Sequence, residues 1–447
     1  MNTSLYLVVG LGQTGCSIAR YLKRRNKPFV MFDTRKDPGN MQAFHDDFPG
    51  VDVFLSEFPH HIYTQLTAVI VSPGVPLEEP FLTKARSLGI PIYGDIECLV
   101  NEVDVPVVAI TGTNGKSTVT SLVGEMAKDS GLSVAVAGNI GLPVLDILDV
   151  GASYDLWVLE LSSFQLDLTH CLAPTAAAIL NVTPDHLDRH HSFQAYLNAK
   201  HRIYNKAQLI VYNLDDKATV PQQDILNNTR LVSFSQQPPH EGHWGLREKN
   251  GELYLAKGAF CLLPTSALKI KGRHNWQNAL AACALADATG IGIASMINVL
   301  QRFTGLPHRS QWVRNLDGVE WINDSKGTNV GATVSAISGI GESIKGKIVL
   351  IAGGRGKGAD FSELRMPIAQ YVRAVILLGE DAEQIETALE DIVRVVRASS
   401  LKNAVKLAQK KATSGDVVLM SPACASLDMF RDFNHRGDDF IAAVNAL

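Results

Sequence analysis

Short apolar runs alternate with segments of helical period along the whole chain. LYLVV (5–9), TAVIVS (67–72), VVAI (107–110), LWVLEL (156–161), KIVLIAGG (347–354) and DVVLMS (416–421) predict β-strands. Between them, apolar residues fall at helical spacing; Val119, Leu122, Val123 and Met126 occupy i, i+3, i+4 and i+7. Strand and helix in alternation form the βαβ rhythm of parallel sheets covered by helices, so the expected class is α/β. Breakers near Gly94 and at Gly305-Leu306-Pro307 divide the chain into three expected domains, 1–94, 95–305 and 306–447. The polar stretch 235–252 reads as an excursion within the middle one.

A chain of 447 residues is too long for one hydrophobic core, in keeping with that division. Hydrophobic residues make up 46% and charged residues 19%, an ordinary globular balance. The net charge of -4, without runs of one sign, argues against a nucleic-acid partner. Six scattered cysteines with no CxxC pair argue against a zinc cage or a disulfide framework and for free thiols in a reducing compartment. The first residues, MNTSLYLVVGLG, read as a strand and not as a signal peptide, and no apolar stretch is long enough to span a bilayer. We therefore expect a cytoplasmic protein with no membrane partner; a monomer is the working expectation, which composition does not decide.

AITGTNGKST (109–118) carries the strongest local chemistry. Gly112 and Gly115 let the backbone fold tightly enough for several N–H groups to face a phosphate. Lys116 brings positive charge, and Ser117 or Thr118 a hydroxyl for Mg²⁺. The helix that follows ends at Gly131. Ile110 stands where the GxxxxGK[ST] pattern has its first glycine. A metal-nucleotide site also needs an acid, and Glu160 closes the apolar run 156–161 where sheet ligands gather.

NVTPDHLDRHHSFQAYLNAKHRIY (181–204) is dense in polar groups. His186 and His190 are four apart, but Leu187 stands where a zinc protease has glutamate, which excludes that reading. His186, in a loop, suits contact with magnesium or phosphate. Ser192 is the expected N-cap of the next helix, and Phe193, Tyr196 and Tyr204 share a stripe with Lys200. Burial on that stripe would lower the lysine pKa and leave a neutral amine able to form a carbamate with CO₂. The alternative is a lysine that snorkels its ammonium to solvent.

Gly10, Gly12 and Gly15 form GxGxxG after the first strand, with Asp33 ending the next. This pattern suits an NAD-dependent dehydrogenase, or another diphosphate-containing nucleotide, since the glycines recognise diphosphate and not nicotinamide. In the last third, Arg309, the group Asp324, Ser325, Lys326 and Thr328, Lys357, and SPACASLDMF (421–430) all fall in loops after strands or breakers. Three such loops in one domain point to a site.

Taken together, GTNGKST, ELSSFQL, NVTPDHLDRH, HNWQNALAA, LPHR, NDSKGTN, GGRGKGADF and SPACASLDMF, in this order, resemble the Mur ligase family over essentially the whole chain. Family members also lack the first Walker glycine. The resemblance implies a Rossmann-like N-terminal domain, a central P-loop ATPase-like parallel-sheet domain and a C-terminal Rossmann-like domain. It implies ATP and two Mg²⁺ ions as cofactors, and D-glutamate and UDP-N-acetylmuramoyl-L-alanine as the joined substrates. Gln13, Thr14, Asp33, Thr34, Arg35, Ser72, Gly74, Asn139, Ser162 and Gln165 would contact the UDP substrate. Gly112, Thr113, Asn114, Gly115, Lys116, Ser117, Thr118, Asn275, Asn278, Arg309 and Asp324 would bind ATP. Ser117, Glu160, His186 and a carbamylated Lys200 would hold metal; Lys116, Glu160, His186, Lys200 and Lys326 would be catalytic. Thr328, Lys357, Ser426, Leu427 and Phe433 would take D-glutamate. Two departures stand out: Gly327 replaces an expected alanine, and Arg355 a residue often acidic.

Overall fold

A computed structural model describes residues 5–222, 229–270, 272–356 and 358–447. Its chain forms two compact units, one of Met1–Ser235, Pro239–Trp244 and Ala281–Met296, the other of Gln236–Pro238, Gly245–Leu280 and Ile297–Leu447.

The first unit holds two parallel sheets. Strands β1 (Leu5–Val9), β2 (Phe29–Asp33), β3 (Val53–Leu55), β4 (Leu66–Val71) and β5 (Ile92–Tyr93) lie in the order β3-β2-β1-β4-β5. The order reverses between β1 and β4, which opens a crevice at their C-terminal ends. The helix Gln13–Arg24 starts at that crevice. β6 (Val107–Thr111), β7 (Val134–Gly138), β8 (Leu156–Glu160), β9 (Ala176–Ile179), β10 (Leu209–Asn213) and β11 (Arg230–Phe234) form the second run, in the order β11-β10-β9-β6-β8-β7. β6 is fully buried, as its unbroken apolar sequence requires of a central parallel strand. Val119, Leu122, Val123 and Met126 of the helix Lys116–Asp129 are also fully buried, each contributing on the order of 1.5–3 kcal/mol.

The breaker at Gly94 marks a change of sheet, not a gap between cores. Val8, Ile18 and Met31 share one apolar cluster with Ile96, Leu99, Trp157 and Ile179. Arg20 and Arg25 add ion pairs to Asp146 (2.6 Å) and Asp149 (3.0 Å).

In the second unit, β13 (Glu252–Lys257) and β14 (Phe260–Pro264) make an antiparallel hairpin. The polar stretch 235–252 contains β12 (Trp244–Lys249), and Asn250 and Gly251, both at positive φ, turn it back toward β13. The second unit's larger sheet has β15 (Gln311–Leu316), β16 (Val319–Asn323), β17 (Ile348–Ala352), β18 (Val372–Leu377), β19 (Arg394–Arg397) and β20 (Val417–Met420), ordered β15-β16-β20-β17-β18-β19. Only β15 runs antiparallel among its pairings. The loops after β16, β20 and β17 therefore emerge side by side at one sheet edge. Among the described residues, no helix is long and apolar enough to cross a membrane.

Candidate functional site

The crevice of the first sheet opens into a cavity of about 580 Å³. Gln13, Thr14, Asp33, Thr34, Arg35, Ser72, Gly74, Asn139 and Gln165, nine of the ten residues expected to contact the UDP substrate, line it. Ser162 is not among them. Its hydroxyl caps the helix Ser163–Asp167, accepting from Gln165 N in a reciprocal capping box. The glycine turn is packed to the limit: a Cβ on Gly15 would stand 1.8 Å from Gly10 O. Ser72 Oγ donates to Gly10 O at 3.2 Å and holds the same turn.

Asp33 does more than line the cavity. Its carboxylate accepts from Leu11 N at 2.6 Å, from Arg35 N at 2.9 Å, and from the Arg35 guanidinium at 2.9 and 2.8 Å. Burial by itself would raise this carboxyl; the Arg35 side chain and the two N–H donors outweigh it and hold the group below its ordinary range. Both oxygens are engaged, so Asp33 pins the glycine turn and aims an exposed Arg35 cation along the cavity rim.

The phosphate loop lies after β6, at the centre of the second sheet. Gly115, at φ +83°, takes the left-handed turn into the helix Lys116–Asp129. Thr113 N donates to Asn181 O (2.9 Å) and Asn114 N to Asn181 Oδ1 (2.8 Å). Lys116 Nζ donates to Gly112 O (2.9 Å) and Thr113 O (3.0 Å), so it curls over the loop. Ser117 and Thr118 sit on the helix's first turn.

Strand register sets Glu160 beside Ile110 on one side and Gly138 on the other. Asn139 Nδ2 donates to Glu160 Oε1 at 2.9 Å. Glu160 Oε2 is buried with no hydrogen-bond partner. A buried carboxylate oxygen without a donor costs free energy unless a cation completes it, which is the environment a metal ligand needs.

Lys200 is 2% exposed. It does not snorkel: Nζ donates to Gly112 O at 2.8 Å, lies 3.5 Å from Thr111 Oγ1 and sits 4.5 Å from the Tyr196 ring centre. Burial, then the nearby Lys116 charge, lowers its pKa to about 7. Ser192 caps the helix Phe193–His201 as expected, accepting from Ala195 N. Phe193 leaves the stripe. As the first residue after the cap it faces solvent, while Tyr196 and Tyr204 are buried.

His186 is at φ 52°, half-exposed, with Nε2 3.5 Å from Asp185 Oδ2. Its ring lies 5.1 Å from Phe164 and 6.4 Å from Tyr196, so His186 and Lys200 flank one tyrosine. Among the described residues, no three His, Cys, Asp or Glu side chains form a ready-made metal cluster. Any cation held here must draw on water, phosphate or a modified lysine as well.

In the second unit, Asp324 accepts from Ser421 Oγ (2.7 Å) and Ser310 N (3.0 Å), joining the loops after β16 and β20 to the segment carrying Arg309. Burial, only partly offset by those donors, raises its carboxyl to about 6. A Cβ on Gly327 would stand 2.6 Å from Asp324 Oδ2, so an alanine there would have to turn this carboxylate. Lys326 Nζ lies 3.9 Å from the Phe433 ring centre, and burial lowers its pKa. Ser426 is buried, Thr328 half-buried and Leu427 exposed. Arg355 and Ala425 exchange two backbone hydrogen bonds of 2.9 Å, while the Arg355 side chain faces Glu380 at 3.8 Å. Asn278 Nδ2 donates to Asn275 Oδ1 at 3.2 Å. Lys357 lies outside the described residues.

Sequence reasoning missed Arg436. This buried guanidinium donates to Ser325 Oγ (3.0 Å), Ser325 O (2.9 Å) and Cys424 O (3.1 Å), tying two of the three loops to the helix Phe433–Asn445. Its only advance signal was an arginine early in a helix after a glycine-poor loop, which is too common to act on.

Family models match in three stretches: Mur ligase MurD-like, N-terminal domain (4–94); Mur ligase middle domain (110–286); and Mur ligase, glutamate ligase domain (308–424). A UDP-N-acetylmuramoylalanine–D-glutamate ligase of Legionella pneumophila is 62% identical over 447 residues, covering 100% of both chains. One of Pseudomonas fluorescens is 47% identical over 441 residues, 99% of this chain and 98% of its own. A crystal structure of MurF ligase from Thermotoga maritima in complex with ADP covers 100% of this chain and 98% of its own, with a TM-score of 0.59 at 16% identity, a likeness of fold. The chain belongs to the Mur ligase family.

Proposed function

We propose that this protein is an ATP-dependent ligase that joins D-glutamate to UDP-N-acetylmuramoyl-L-alanine in peptidoglycan precursor synthesis. The observation that carries the reading is Glu160, whose unpartnered buried oxygen stands beside a phosphate loop. Hydride transfer gives that pairing no task. The full-length likeness to D-glutamate ligases supports the choice of acid and amine.

In this reading the cavity beside Arg35 holds the UDP substrate, and the phosphate loop with Lys116 holds the ATP phosphates. Asn275, Asn278, Arg309 and Asp324 are the proposed further nucleotide contacts. Ser117, Glu160, His186 and Lys200, as its carbamate, would hold Mg²⁺, which supplies charge neutralisation between two anionic reactants. Two ions are proposed. The carbamate fits a lysine whose pKa of about 7 leaves a substantial share of its amine neutral near pH 7.

The substrate carboxylate oxygen bonds to the γ-phosphorus as the bond to the ADP oxygen breaks. Lys116 and Lys326 stabilise the charge that develops, each by several kcal/mol in a dry site. The D-glutamate amine, held by Thr328, Lys357, Ser426, Leu427 and Phe433, attacks the acyl carbon and loses a proton, and phosphate leaves. The protein is proposed to act in the cytoplasm as a monomer.

Borohydride reduction tests the intermediate. With ATP and UDP-N-acetylmuramoyl-L-alanine but no D-glutamate, the trapped product should be the reduced alcohol of the substrate. Recovery of unreduced substrate alone would remove the acyl phosphate from the account.

A further inference from the structure

Arg189 has no part in the chemistry described so far, yet it joins two parts of the first unit that are more than a hundred residues apart. Its guanidinium donates to Gly74 O at 3.2 Å, to Val75 O, and more distantly to Pro73 O at 3.5 Å. Gly74 and Val75 form the lip of the nucleotide cavity. The same guanidinium stands 5.0 Å from the Phe164 ring centre. Phe164 lies in the short helix Ser163–Asp167, which also carries Gln165 of the cavity wall.

Arg189 sits in a one-turn helix, Leu187–His190. A single turn has no stability of its own. It is bracketed by two non-glycine residues at positive φ, His186 (52°) and His191 (60°), a conformation that tertiary contacts must enforce. His190 Nε2 meets Ser163 Oγ at 2.9 Å and its ring stacks on Phe164 at 5.4 Å, while Arg189 grips the lip. The N-cap of this turn is His186. Because the turn is held by these contacts, a shift of Arg189 is passed to His186, three residues away at its N-cap.

We propose that Arg189 is a positioning residue that couples the lip of the UDP cavity to the placement of His186, so that the UDP substrate and the ATP side of the site tighten each other. The proposal rests on the assignment of the cavity to the UDP substrate. The coupling is reciprocal by necessity: if the UDP substrate tightens nucleotide binding, nucleotide tightens the UDP substrate by the same factor.

The test is calorimetric titration of UDP-N-acetylmuramoyl-L-alanine into the full-length protein, with and without a non-hydrolysable ATP analogue and magnesium. Wild type should show mutual tightening. Arg189→Ala should weaken the UDP substrate roughly tenfold or more, the scale of lost charge-assisted hydrogen bonds, and bring the tightening factor close to one. Arg189→Lys should fail to restore either, because one ammonium cannot span neighbouring carbonyls and a ring face. It also carries the test if the alanine variant does not fold. In steady state both variants should raise KM for the UDP substrate and lower kcat, with KM for D-glutamate unchanged. A merely structural arginine would lower kcat alone. Wild-type affinity and tightening in Arg189→Lys, or a wild type without tightening, overturns the proposal. A wild type that does not bind the UDP substrate at all would instead overturn the assignment of the cavity.

Discussion

Replacing Lys200 by methionine should make the protein more stable while stopping its chemistry. Burial lowers the Lys200 pKa from 10.5 to about 7. At 1.36 kcal/mol per pH unit, keeping this lysine costs the folded state roughly 4 kcal/mol at pH 7. Its hydrogen bonds to Gly112 O and Thr111 Oγ1 return roughly 1–3 kcal/mol, and methionine fills a similar volume without needing a partner. The balance favours the variant by roughly 2 kcal/mol at pH 7. The pH dependence has a definite sign. The folded pKa lies below the unfolded one, so the unfolded chain binds the extra proton between them. The cost of Lys200 is full below about pH 7 and fades as pH rises toward 10.5, by about 1.4 kcal/mol per unit. Thermal midpoints of wild type and Lys200→Met, measured in bicarbonate-free and magnesium-free buffer, should differ in favour of the variant at pH 7. At pH 9 the gap should close or reverse. A lower midpoint for the variant at pH 7, or the same gap at both pH values, would refute the burial argument. Ligase turnover should fall by about two orders of magnitude or more, as for removal of a group that acts in the transition state.

Three further perturbations test the site, two of them away from Lys200. Asp33→Asn should loosen both the glycine turn and Arg35, weakening the UDP substrate about ten- to a hundredfold while KM for D-glutamate holds; calorimetry and steady-state kinetics read the two. Arg436→Met leaves the carbonyls of Ser325 and Cys424 without their donor, and should cost roughly 2–4 kcal/mol, seen as faster proteolysis of the loops after β16 and β20 and a raised KM for D-glutamate. Lys200→Ala should lose activity that a small carboxylic acid in the buffer partly restores, since the acid can replace the carbamate oxygens; absence of rescue at any concentration counts against the carbamate.

Much of this architecture was legible in the sequence because it depends on local pattern. Strand, glycine turn and helix follow one another within about two dozen residues at both 5–24 and 107–129, and period and breakers suffice to read them. Of the nine cavity-lining residues, Asp33 was marked by the glycine pattern and the other eight were legible only through likeness to a family; no periodicity connects Thr14 to Asn139. Where side chains reach far along the chain, the sequence was silent. Asn181 steadies the phosphate loop from 67 residues away, and Arg436 ties loops 111 and 12 residues distant. Apart from the Ser325 hydroxyl, their partners are backbone atoms, which every residue carries, so no residue type marks the contact. Phe193 shows the opposite failure. The helical stripe was read one turn too far, because the first residue after an N-cap is not yet covered by the rest of the fold.

The claim beneath all of this is that phosphate is released only when an acyl phosphate is formed and an amine consumes it. Its most direct test is ADP release from purified protein given ATP, magnesium and UDP-N-acetylmuramoyl-L-alanine, against a panel of D- and L-amino acids. The account predicts sustained release with D-glutamate, with amide product in equal amount, and no sustained release when either the UDP substrate or the amino acid is left out. Sustained release without an amine, or with another amino acid in preference to D-glutamate, would contradict it.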